Sequence, residues 1–313
     1  MVLTDMDNRK FDLIKYITIM LLLLISGCNG EDDDPVSPPE DQGGIEKSSK
    51  RGLAYNLTNA ADFDSLKSSV SWWYNWGLST DAPDNYYSDY SMEYIPMLWG
   101  GNPAADYVEV KNLILANDEI EYLLVLNEPN LTDQANQTPE FAAENWVKYE
   151  KVISDLEEEG RTVYLVGPGM NWGTMSGYSD PVVWLDAFYE AYRNSNEGKD
   201  PKIDYLAFHW YDYGLEAQLD RLAKYGKQIW ITEMANWNPI INSYAKQMEQ
   251  MTEMVAICEN RDDVFRYAWF IGRGTYPDNK YTYLFEEEPG KLTELGKLYI
   301  SLPYKKIDIN SFN

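Results

Sequence analysis

The strongest constraint on the fold of this chain is a series of short apolar runs that alternate with longer amphipathic segments. From Arg51 to about Pro303 the chain continues for about 250 residues without a low-complexity break. Strands that alternate with helical patterns are typical of a parallel sheet built from β–α–β units. The eight predicted strands are 52–56, 70–74, 93–98, 122–126, 162–167, 205–209, 228–232 and 266–270.

Eight strands within this length predict a single (β/α)₈ TIM barrel. Apolar residues recur at helical spacing in 145–159, 181–193 and 243–259, which predicts amphipathic helices there. An open doubly wound sheet is the alternative, and that fold usually carries a Gly-rich phosphate turn after its first strand. Residues 55–58 (Tyr-Asn-Leu-Thr) are not such a turn, so the barrel is favoured.

The start of the chain has the pattern of an export signal. In residues 1–27, basic side chains precede an apolar run at 16–25 that is too short to cross a membrane as a helix. Residues 25–28 (Ile-Ser-Gly-Cys) resemble a bacterial lipobox, in which Cys28 would carry the lipid; an ordinary secretory peptide is the alternative. We expect a secreted protein, lipid-anchored at a bacterial outer membrane or cell surface.

Composition predicts the limits of the folded domain. Residues 28–50 are acidic and almost free of large apolar side chains, so they predict a flexible tether that cannot offset its ordering entropy. The catalytic domain is then expected at 51–304, with a short tail at 305–313. With Cys28 lipidated, Cys258 has no disulfide partner, and its helical setting predicts a buried, small apolar residue.

The charge of the chain limits its partners. There are 26 basic and 51 acidic residues, a net charge of −25. Nucleic acid and anionic polymers should be repelled, because phosphate binding requires clustered Lys and Arg. A neutral substrate is expected, and we expect a monomer. One His and two Cys offer no ligand set for a structural zinc, so no metal and no cofactor is expected.

Two glutamates end predicted strands, where the reactive groups of barrels lie. Glu128 follows the fourth strand in Leu-Asn-Glu-Pro-Asn, and Glu233 follows the seventh in Trp-Ile-Thr-Glu-Met. Strands three positions apart in an eight-strand ring can bring these side chains together across the mouth. Cleavage of a glycosidic bond needs a proton donor and a second carboxylate. A separation of about 5–5.5 Å would allow retention, with Glu128 as acid/base and Glu233 as nucleophile.

Other polar residues at strand ends are candidates for the same site. Asn127 could offer its amide to the sugar 2-hydroxyl, and His209 and Tyr211 are candidate donors near Glu233. Asn56 follows the first strand. The alternatives are a solvated surface acid and a structural histidine. A Ser-His-Asp triad would depend on His209 alone, and no Gly-x-Ser-x-Gly elbow is present.

Several segments together resemble glycoside hydrolase family 128, whose members are clan-A-type enzymes related to fungal alkali-sensitive-linkage proteins and act on β-1,3-glucans. Asn-Glu-Pro is shared by many clan-A families, whereas the two Trp-rich segments are more specific. The resemblance extends over about 51–270 and implies that Glu128 is the acid/base and Glu233 the nucleophile. The segments are 51–56, 72–76 (Trp-Trp-Tyr-Asn-Trp), 94–100 (ending Pro-Met-Leu-Trp-Gly), 126–130 and 231–233.

The resemblance also implies that tryptophans line the sugar subsites. Aromatic faces stack on sugar rings, and the alternative is that they fill the core. Of Trp72 and Trp73 only one can face inward, because alternate strand residues point to opposite faces. The implied subsite residues are Trp73, Trp76, Trp99, Trp172, Trp210 and Trp269.

The sequence therefore predicts a cell-surface retaining endo-β-1,3-glucanase. One alternative is a clan-A glycanase that acts on another neutral β-glucan or on mannan. Another is a surface glycan-binding lipoprotein that has lost hydrolysis. The presence of both Glu128 and Glu233 argues against the second alternative, since binding alone requires neither.

Overall fold

The computed structural model describes residues 46–100, 103–274 and 281–304 of the 313-residue chain, with only the backbone of 103–105. The predicted signal peptide, Cys28, the tether as far as residue 45 and the tail at 305–313 lie outside the described residues.

The fold is α/β, with one parallel sheet whose strands alternate along the chain with helices. No helix in the described part of the chain is long and apolar enough to cross a membrane. The strands are β1 (Arg51–Ala54), β2 (Trp72–Tyr74), β3 (Glu93–Tyr94), β4 (Met97–Leu98), β5 (Tyr122–Val125), β6 (Tyr164–Met170), β7 (Tyr205–Trp210), β8 (Ile229–Met234) and β9 (Val264–Trp269). The helices are α1 (Ala60–Leu66), α2 (Tyr86–Tyr90), α3 (Pro103–Ala116), α4 (Pro139–Glu158), α5 (Pro181–Ser195), α6 (Leu215–Leu222), α7 (Tyr244–Asn260) and α8 (Glu294–Ser301).

The predicted strand at 93–98 forms two strands, so the sheet has nine strands in the described residues where the sequence predicted eight. β3 pairs with β2 at one edge of the sheet, and β4 pairs with β5 at the other. Pro96 lies between them and has no N–H to donate, although its carbonyl accepts from Leu124. Only two residues separate β3 from β4, so the two edges of the sheet are adjacent in space.

The remaining predicted elements match the structure more closely. Each of the other seven predicted strands overlaps an observed strand, and the three predicted helices overlap α4, α5 and α7. The boundaries differ by at most three residues, except that α4 begins at Pro139, six residues before the predicted start. Side-chain caps define several helix starts: the hydroxyl of Thr138 accepts from the N–H of Phe141 at α4, and the carboxylate of Asp180 accepts from that of Val182 at α5.

The sheet curls so that one of its faces is enclosed. Trp73 and Trp146 belong to the larger core, between the sheet and the helices. On the other face, the ring of Trp230 in β8 lies 5.0 Å from that of Trp72 in β2 and 5.0 Å from that of Tyr122 in β5. These strands are not neighbours in the sheet, so the side chains can meet only if the face is concave. The enclosed face is therefore a packed interior.

Arg51 links the C-terminal end of the domain to the first strand through hydrogen bonds. Its buried guanidinium donates to the hydroxyl of Tyr267 at 2.8 Å and to the carbonyls of Tyr299 and Leu302 at 2.8 and 2.9 Å. Glu259 is the ion partner, at 3.5 Å. Because the acceptors come from β9, α7 and the end of α8, one side chain joins β1 to three distant elements.

Residues 46–50, which the sequence analysis assigned to the tether, belong to the folded domain. The ammonium of Lys47 donates to three backbone carbonyls, and that of Lys50 donates to carbonyls at the end of α7. The hydroxyl of Ser48 is buried and donates to Glu259 at 2.6 Å. The domain therefore begins before Arg51, because these polar side chains find acceptors on elements far along the chain.

Cys258 is fully buried in α7, as predicted, with its sulfur 3.9 Å from that of Met234. Burial raises the pKa of its thiol. The thiol is therefore an apolar core group and not a nucleophile.

Candidate active site

The turn after β5 brings Asn127 and Glu128 to the carboxyl edge of the sheet. Leu126 and Glu128 have φ angles of 59° and 47°, in the left-handed region that side chains other than glycine seldom adopt. Two backbone hydrogen bonds hold this turn against β6: the N–H of Glu128 donates to Gly169 at 2.7 Å, and that of Gly169 donates to Leu126 at 2.9 Å. Each such residue costs about 1–3 kcal/mol, and such conformations cluster at functional sites.

Glu128 is buried, and one of its oxygens is held from two sides. The amide of Asn171 donates to Oε1 at 2.7 Å, and Nδ1 of His209 lies 2.8 Å from the same atom. Burial raises the pKa of Glu128, but the hydrogen bond and charge of His209, together with Asn171, outweigh it and lower the pKa below its usual value. No hydrogen bond to Oε2 occurs among the described residues, so this oxygen is available to a ligand.

Glu233 lies near the end of β8 and accepts hydrogen bonds at both oxygens. Tyr74 and Trp76 donate to Oε1 at 2.9 and 2.7 Å, and Tyr211 donates to Oε2. Burial, followed by the charge of Glu233, keeps the pKa values of Tyr74 and Tyr211 well above normal. The two hydroxyls therefore stay protonated as donors, an arrangement that stabilises an ionised carboxylate.

His209 connects the two glutamates. Its Nδ1 lies 3.4 Å from Oε2 of Glu233, in addition to the 2.8 Å contact with Glu128. Burial lowers the pKa of His209, but the charges of both carboxylates raise it above its usual value. His209 was predicted as a donor near Glu233, and its shorter contact is with Glu128. Its second nitrogen, Nε2, has no hydrogen-bond partner in the part of the chain that the structure describes.

Glu128, His209 and Glu233 form a compact group of possible metal ligands. One atom from each lies within 4.8 Å of the others. However, Tyr74, Trp76 and Tyr211 already occupy the oxygens of Glu233. These donors use three of the roughly four lone-pair positions of the carboxylate, so the geometry suits proton transfer and nucleophilic attack better than metal binding.

Aromatic side chains surround the two carboxylates. The ring of Trp237 stacks on that of Tyr211, with centroids 3.8 Å apart, and Phe270 stands edge-on to Tyr211 at 5.8 Å. Trp99 and Trp172 are 37 and 49% exposed, so each can present a ring to a sugar, although the guanidinium of Arg221 lies over one face of Trp172 at 5.5 Å. Trp76 is half-buried, has a φ of 63° and reaches Glu233 through its N–H.

Three tryptophans assigned to the subsites lie on the wrong face of the sheet. Trp73 is fully buried against α1, with its ring 5.0 Å from Phe63. Trp269 is fully buried too, and its N–H donates to the carbonyl of Thr282 at 2.8 Å. Trp210 is 8% exposed and belongs to the same cluster between sheet and helices. These rings cannot stack on a sugar, so the interpretation of Trp73, Trp210 and Trp269 as subsite residues is wrong.

Two other candidates have defined surroundings. Asn56 is exposed, and its side-chain oxygen accepts from the amide of Asn75 at 3.0 Å. Asn127 is buried next to Glu128, and its Oδ1 has no hydrogen-bond partner among the described residues. Because an unsatisfied buried polar atom is costly, this oxygen is suited to a hydroxyl of a ligand.

The sequence analysis did not assign Tyr74, Asn171 or Trp237 to the site. Tyr74 is two residues beyond Trp72 on β2, so strand alternation places both on the enclosed face. Asn171 immediately follows β6, where polar residues of a barrel are candidates for the site. Strand alternation therefore marks Tyr74 in the sequence, and the position directly after a strand marks Asn171. Trp237 lies in the loop after β8, and no local pattern marks it.

The comparisons with known proteins agree with this geometry. A family model described as "Glycosyl hydrolase catalytic core" matches residues 52–299, which include Glu128 and Glu233. The crystal structure of a GH128 (subgroup II) endo-β-1,3-glucanase from Pseudomonas viridiflava is 51% identical, with a TM-score of 0.77, and the match covers 83% of this chain and 100% of that one. The chain belongs to glycoside hydrolase family 128. It is an O-glycoside hydrolase.

Two further relatives agree with the assignment to family 128 that the sequence predicted. A GH128 (subgroup II) endo-β-1,3-glucanase from Sorangium cellulosum is 32% identical with a TM-score of 0.69, over 82% of this chain and 100% of that one. The alkali-sensitive linkage protein 1 of Schizosaccharomyces pombe is 28% identical over 269 residues. That match covers 81% of this chain but 45% of the yeast protein, so the chain spans less than half of that relative's length.

Proposed function

We propose that this family 128 member is a retaining endo-β-1,3-glucanase. The observation that carries the proposal is the position of Glu128 and Glu233, which offer oxygens within 4.8 Å of each other at the carboxyl ends of β5 and β8. Retaining enzymes place their carboxyl groups about 5–5.5 Å apart, and inverting enzymes about 6.5–9.5 Å. Oxygens within 4.8 Å of each other lie nearer to the retaining range than to the inverting range, which supports double displacement.

The hydrogen bonds support different roles for the two carboxylates. Three donors stabilise Glu233 as an anion, the form in which it attacks the anomeric carbon. Glu128 has Oε1 fixed by Asn171 and His209, which leaves Oε2 to protonate the leaving glycosidic oxygen. In the second step Glu128 takes a proton from water, whose oxygen displaces Glu233 from the sugar and keeps the anomeric configuration.

The proposed substrate is a neutral β-1,3-glucan. The net charge of −25 disfavours anionic polymers, and Trp99, Trp172 and Trp237 present exposed rings that can stack on uncharged sugars. The two relatives from Pseudomonas viridiflava and Sorangium cellulosum are endo-β-1,3-glucanases, and the first is 51% identical to this chain.

We also propose that the sheet works as a barrel of eight strand positions. In this interpretation β3 and β4 are the two halves of one position, interrupted at Pro96. The proposal is supported by the two residues that separate β3 from β4 and by their pairing with opposite edges of the sheet.

The proposed location is a bacterial outer membrane or cell surface, with a lipid on Cys28. The support is the sequence at 25–28, after an apolar run of export-signal length. Metabolic labelling with a fatty-acid analogue tests this proposal. A wild-type chain that takes up no label, like Cys28→Ser, would contradict it.

The proposed chemistry is tested by Glu233→Gln, with Glu190→Gln as the matched control on the exposed side of α5. Loss of the nucleophile should reduce hydrolysis of a soluble β-1,3-glucan by about four orders of magnitude or more, because the amide cannot form the glycosyl-enzyme. The control should keep full activity. Reducing ends and the melting temperature are measured on all three proteins.

Three outcomes contradict different parts of the proposal. Unchanged turnover in Glu233→Gln contradicts the assigned nucleophile. Inverted product stereochemistry, read by NMR during hydrolysis, contradicts the retaining mechanism. Release of products from β-1,4-glucan or mannan, with none from β-1,3-glucan, contradicts the substrate.

A further inference from the structure

A cavity of about 550 Å³ opens at the edge of the sheet opposite the candidate active site. Ser71 directly precedes β2 and Glu93 begins β3, so these lining residues lie at the amino ends of parallel strands. Glu128 and Glu233 lie at the carboxyl ends. The residues that define this base pocket are Ser49, Ser71, Tyr87, Ser91, Glu93 and Arg266.

Arg266 closes the inner side of the base pocket. The residue is 6% exposed, and its guanidinium lies 4.6 Å from the ring of Tyr122 and 4.8 Å from that of Trp230. One nitrogen, Nη2, contacts Glu93 at 2.7 Å. The other, Nη1, has no hydrogen-bond partner among the described residues. The aromatic rings and Glu93 hold the guanidinium in place, and the carboxylate of Glu93, whose side chain is 30% exposed, presents acceptors to the base pocket.

The charges around the base pocket favour a neutral ligand over an anion. The ammonium of Lys47 is used by three backbone carbonyls, and the charge of Arg266 is balanced by Glu93. Burial raises the pKa of Tyr87, and the negative charges of the nearby Glu93, Glu119 and Glu121 raise it further. An anion would therefore meet carboxylates at the rim, in a chain whose net charge is −25.

The remaining lining groups match a sugar. Ser49 and Ser91 are exposed, and a hydroxyl both donates and accepts, as sugar hydroxyls require. Glu93 supplies acceptors beside the donor of Arg266. Tyr87 is 48% exposed and offers a ring face on which a sugar can stack. An aromatic face next to paired donors and acceptors is a chemistry that selects neutral carbohydrates.

We propose that the base pocket is a second glycan-binding site, which holds the polymer while the opposite edge of the sheet cleaves it. The identity of the glycan as a β-1,3-glucan rests on the proposed function. A second site raises the local concentration of a long or particulate polymer around the enzyme. A short oligosaccharide cannot occupy both edges at once, so its cleavage should not depend on the base pocket.

The experiment removes the exposed ring by Tyr87→Ala and fills the cavity by Ser49→Trp. Phe141→Ala, which removes an equally exposed ring from α4, is the matched control. In the Glu233→Gln background, retention on insoluble β-1,3-glucan should weaken roughly threefold to tenfold in both pocket variants and not in the control. With Glu233 intact, the kcat/KM for laminaripentaose should stay at the wild-type value in all three.

Equal retention of the pocket variants and the control would overturn the second site. The second site is also overturned if the pocket variants lose oligosaccharide cleavage and melting temperature together, because that result indicates a structural role. Failure of the proposed function is read separately, as an absence of β-1,3-glucan hydrolysis by the wild-type protein.

Discussion

His209 contacts both of the candidate catalytic carboxylates. Its Nδ1 lies 2.8 Å from Glu128 and 3.4 Å from Glu233, and all three side chains are buried. The charges of both carboxylates raise the pKa of His209, and the hydrogen bond and charge of His209 lower that of Glu128. His209 and Glu128 are therefore electrostatically coupled.

The histidine offers a direct test of this electrostatic coupling, because the chain contains one His. The pKa of His209 should exceed 6.5 in the wild-type protein, since the carboxylates outweigh burial. In Glu233→Gln and in Glu128→Gln one of the charges that raise the pKa is gone and burial continues to lower it. The pKa should fall in both variants, and NMR titration of the imidazole in an untagged protein measures it.

Tyr211→Phe is the control for that titration, because it removes a hydrogen bond to Glu233 and leaves both carboxylates in place. Its His209 pKa should stay above 6.5. A pKa that is the same in wild type and in both glutamine variants would contradict the electrostatic coupling.

The sequence predicted the residues that carry charge at the site better than those that surround it. Glu128, Glu233, His209 and Tyr211 follow apolar runs, and a polar residue at that position is a strong signal in a barrel. A tryptophan carries no comparable signal, because it suits both faces of a strand. Trp73 was assigned to the site although its neighbour Trp72 occupies the enclosed face.

At the scale of elements, the predicted strand at 93–98 shows where local pattern fails. Its apolar residues satisfied the strand pattern, but Pro96 cannot continue a hydrogen-bonded ladder as a donor. The structure divides the segment there into β3 and β4. The turn after β5 was also not predictable, because neither Leu nor Glu is a residue type that favours the left-handed φ angles found at Leu126 and Glu128. Contacts with β6 hold that turn, and they are not local in sequence.

Arg51 is a single side chain that joins β1 to β9, α7 and the end of α8. Arg51→Ala should lower the free energy of unfolding by about 3–5 kcal/mol, because it removes a buried guanidinium that lies 3.5 Å from Glu259 and donates to several buried carbonyls. Urea unfolding followed by tryptophan fluorescence measures the change.

Arg193→Ala is the matched control, because the ion pair of Arg193 with Asp200 is exposed at the end of α5. Exposed pairs contribute about 0–1 kcal/mol, so this variant should unfold close to the wild-type midpoint. Equal destabilisation by the two substitutions would contradict the role assigned to Arg51.

At the scale of the whole molecule, the parallel α/β arrangement was predictable and the limits of the domain were not. Short apolar runs separated by amphipathic helices permit few other folds. Residues 46–50 have the composition of a tether, yet the ammonium groups of Lys47 and Lys50 donate hydrogen bonds to backbone carbonyls of distant segments. Such contacts join residues that are far apart in the sequence, so they leave no pattern in the local sequence.

The pKa shifts of Glu128 and His209 give the whole domain a pH window of stability. Burial opposes ionisation of Glu128, but His209 and Asn171 lower its pKa below 4.5, so its contribution is complete above pH 4.5 and is lost as the pH falls through the folded-state pKa. Burial lowers the pKa of His209, but the charges of Glu233 and Glu128 outweigh burial and raise the pKa above 6.5. Its contribution is complete below pH 6.5 and is lost as the pH rises through the folded-state pKa.

Both contributions are therefore complete between about pH 4.5 and pH 6.5. The melting temperature of the wild-type protein should fall between about pH 5.5 and about pH 9 by more than that of His209→Asn, which has no imidazole to lose a proton. Repulsion among the many carboxylates also grows with pH, but it acts on both proteins and cancels in the comparison. Equal falls in the two melting temperatures would mean that the proton on His209 contributes nothing to the stability of the fold.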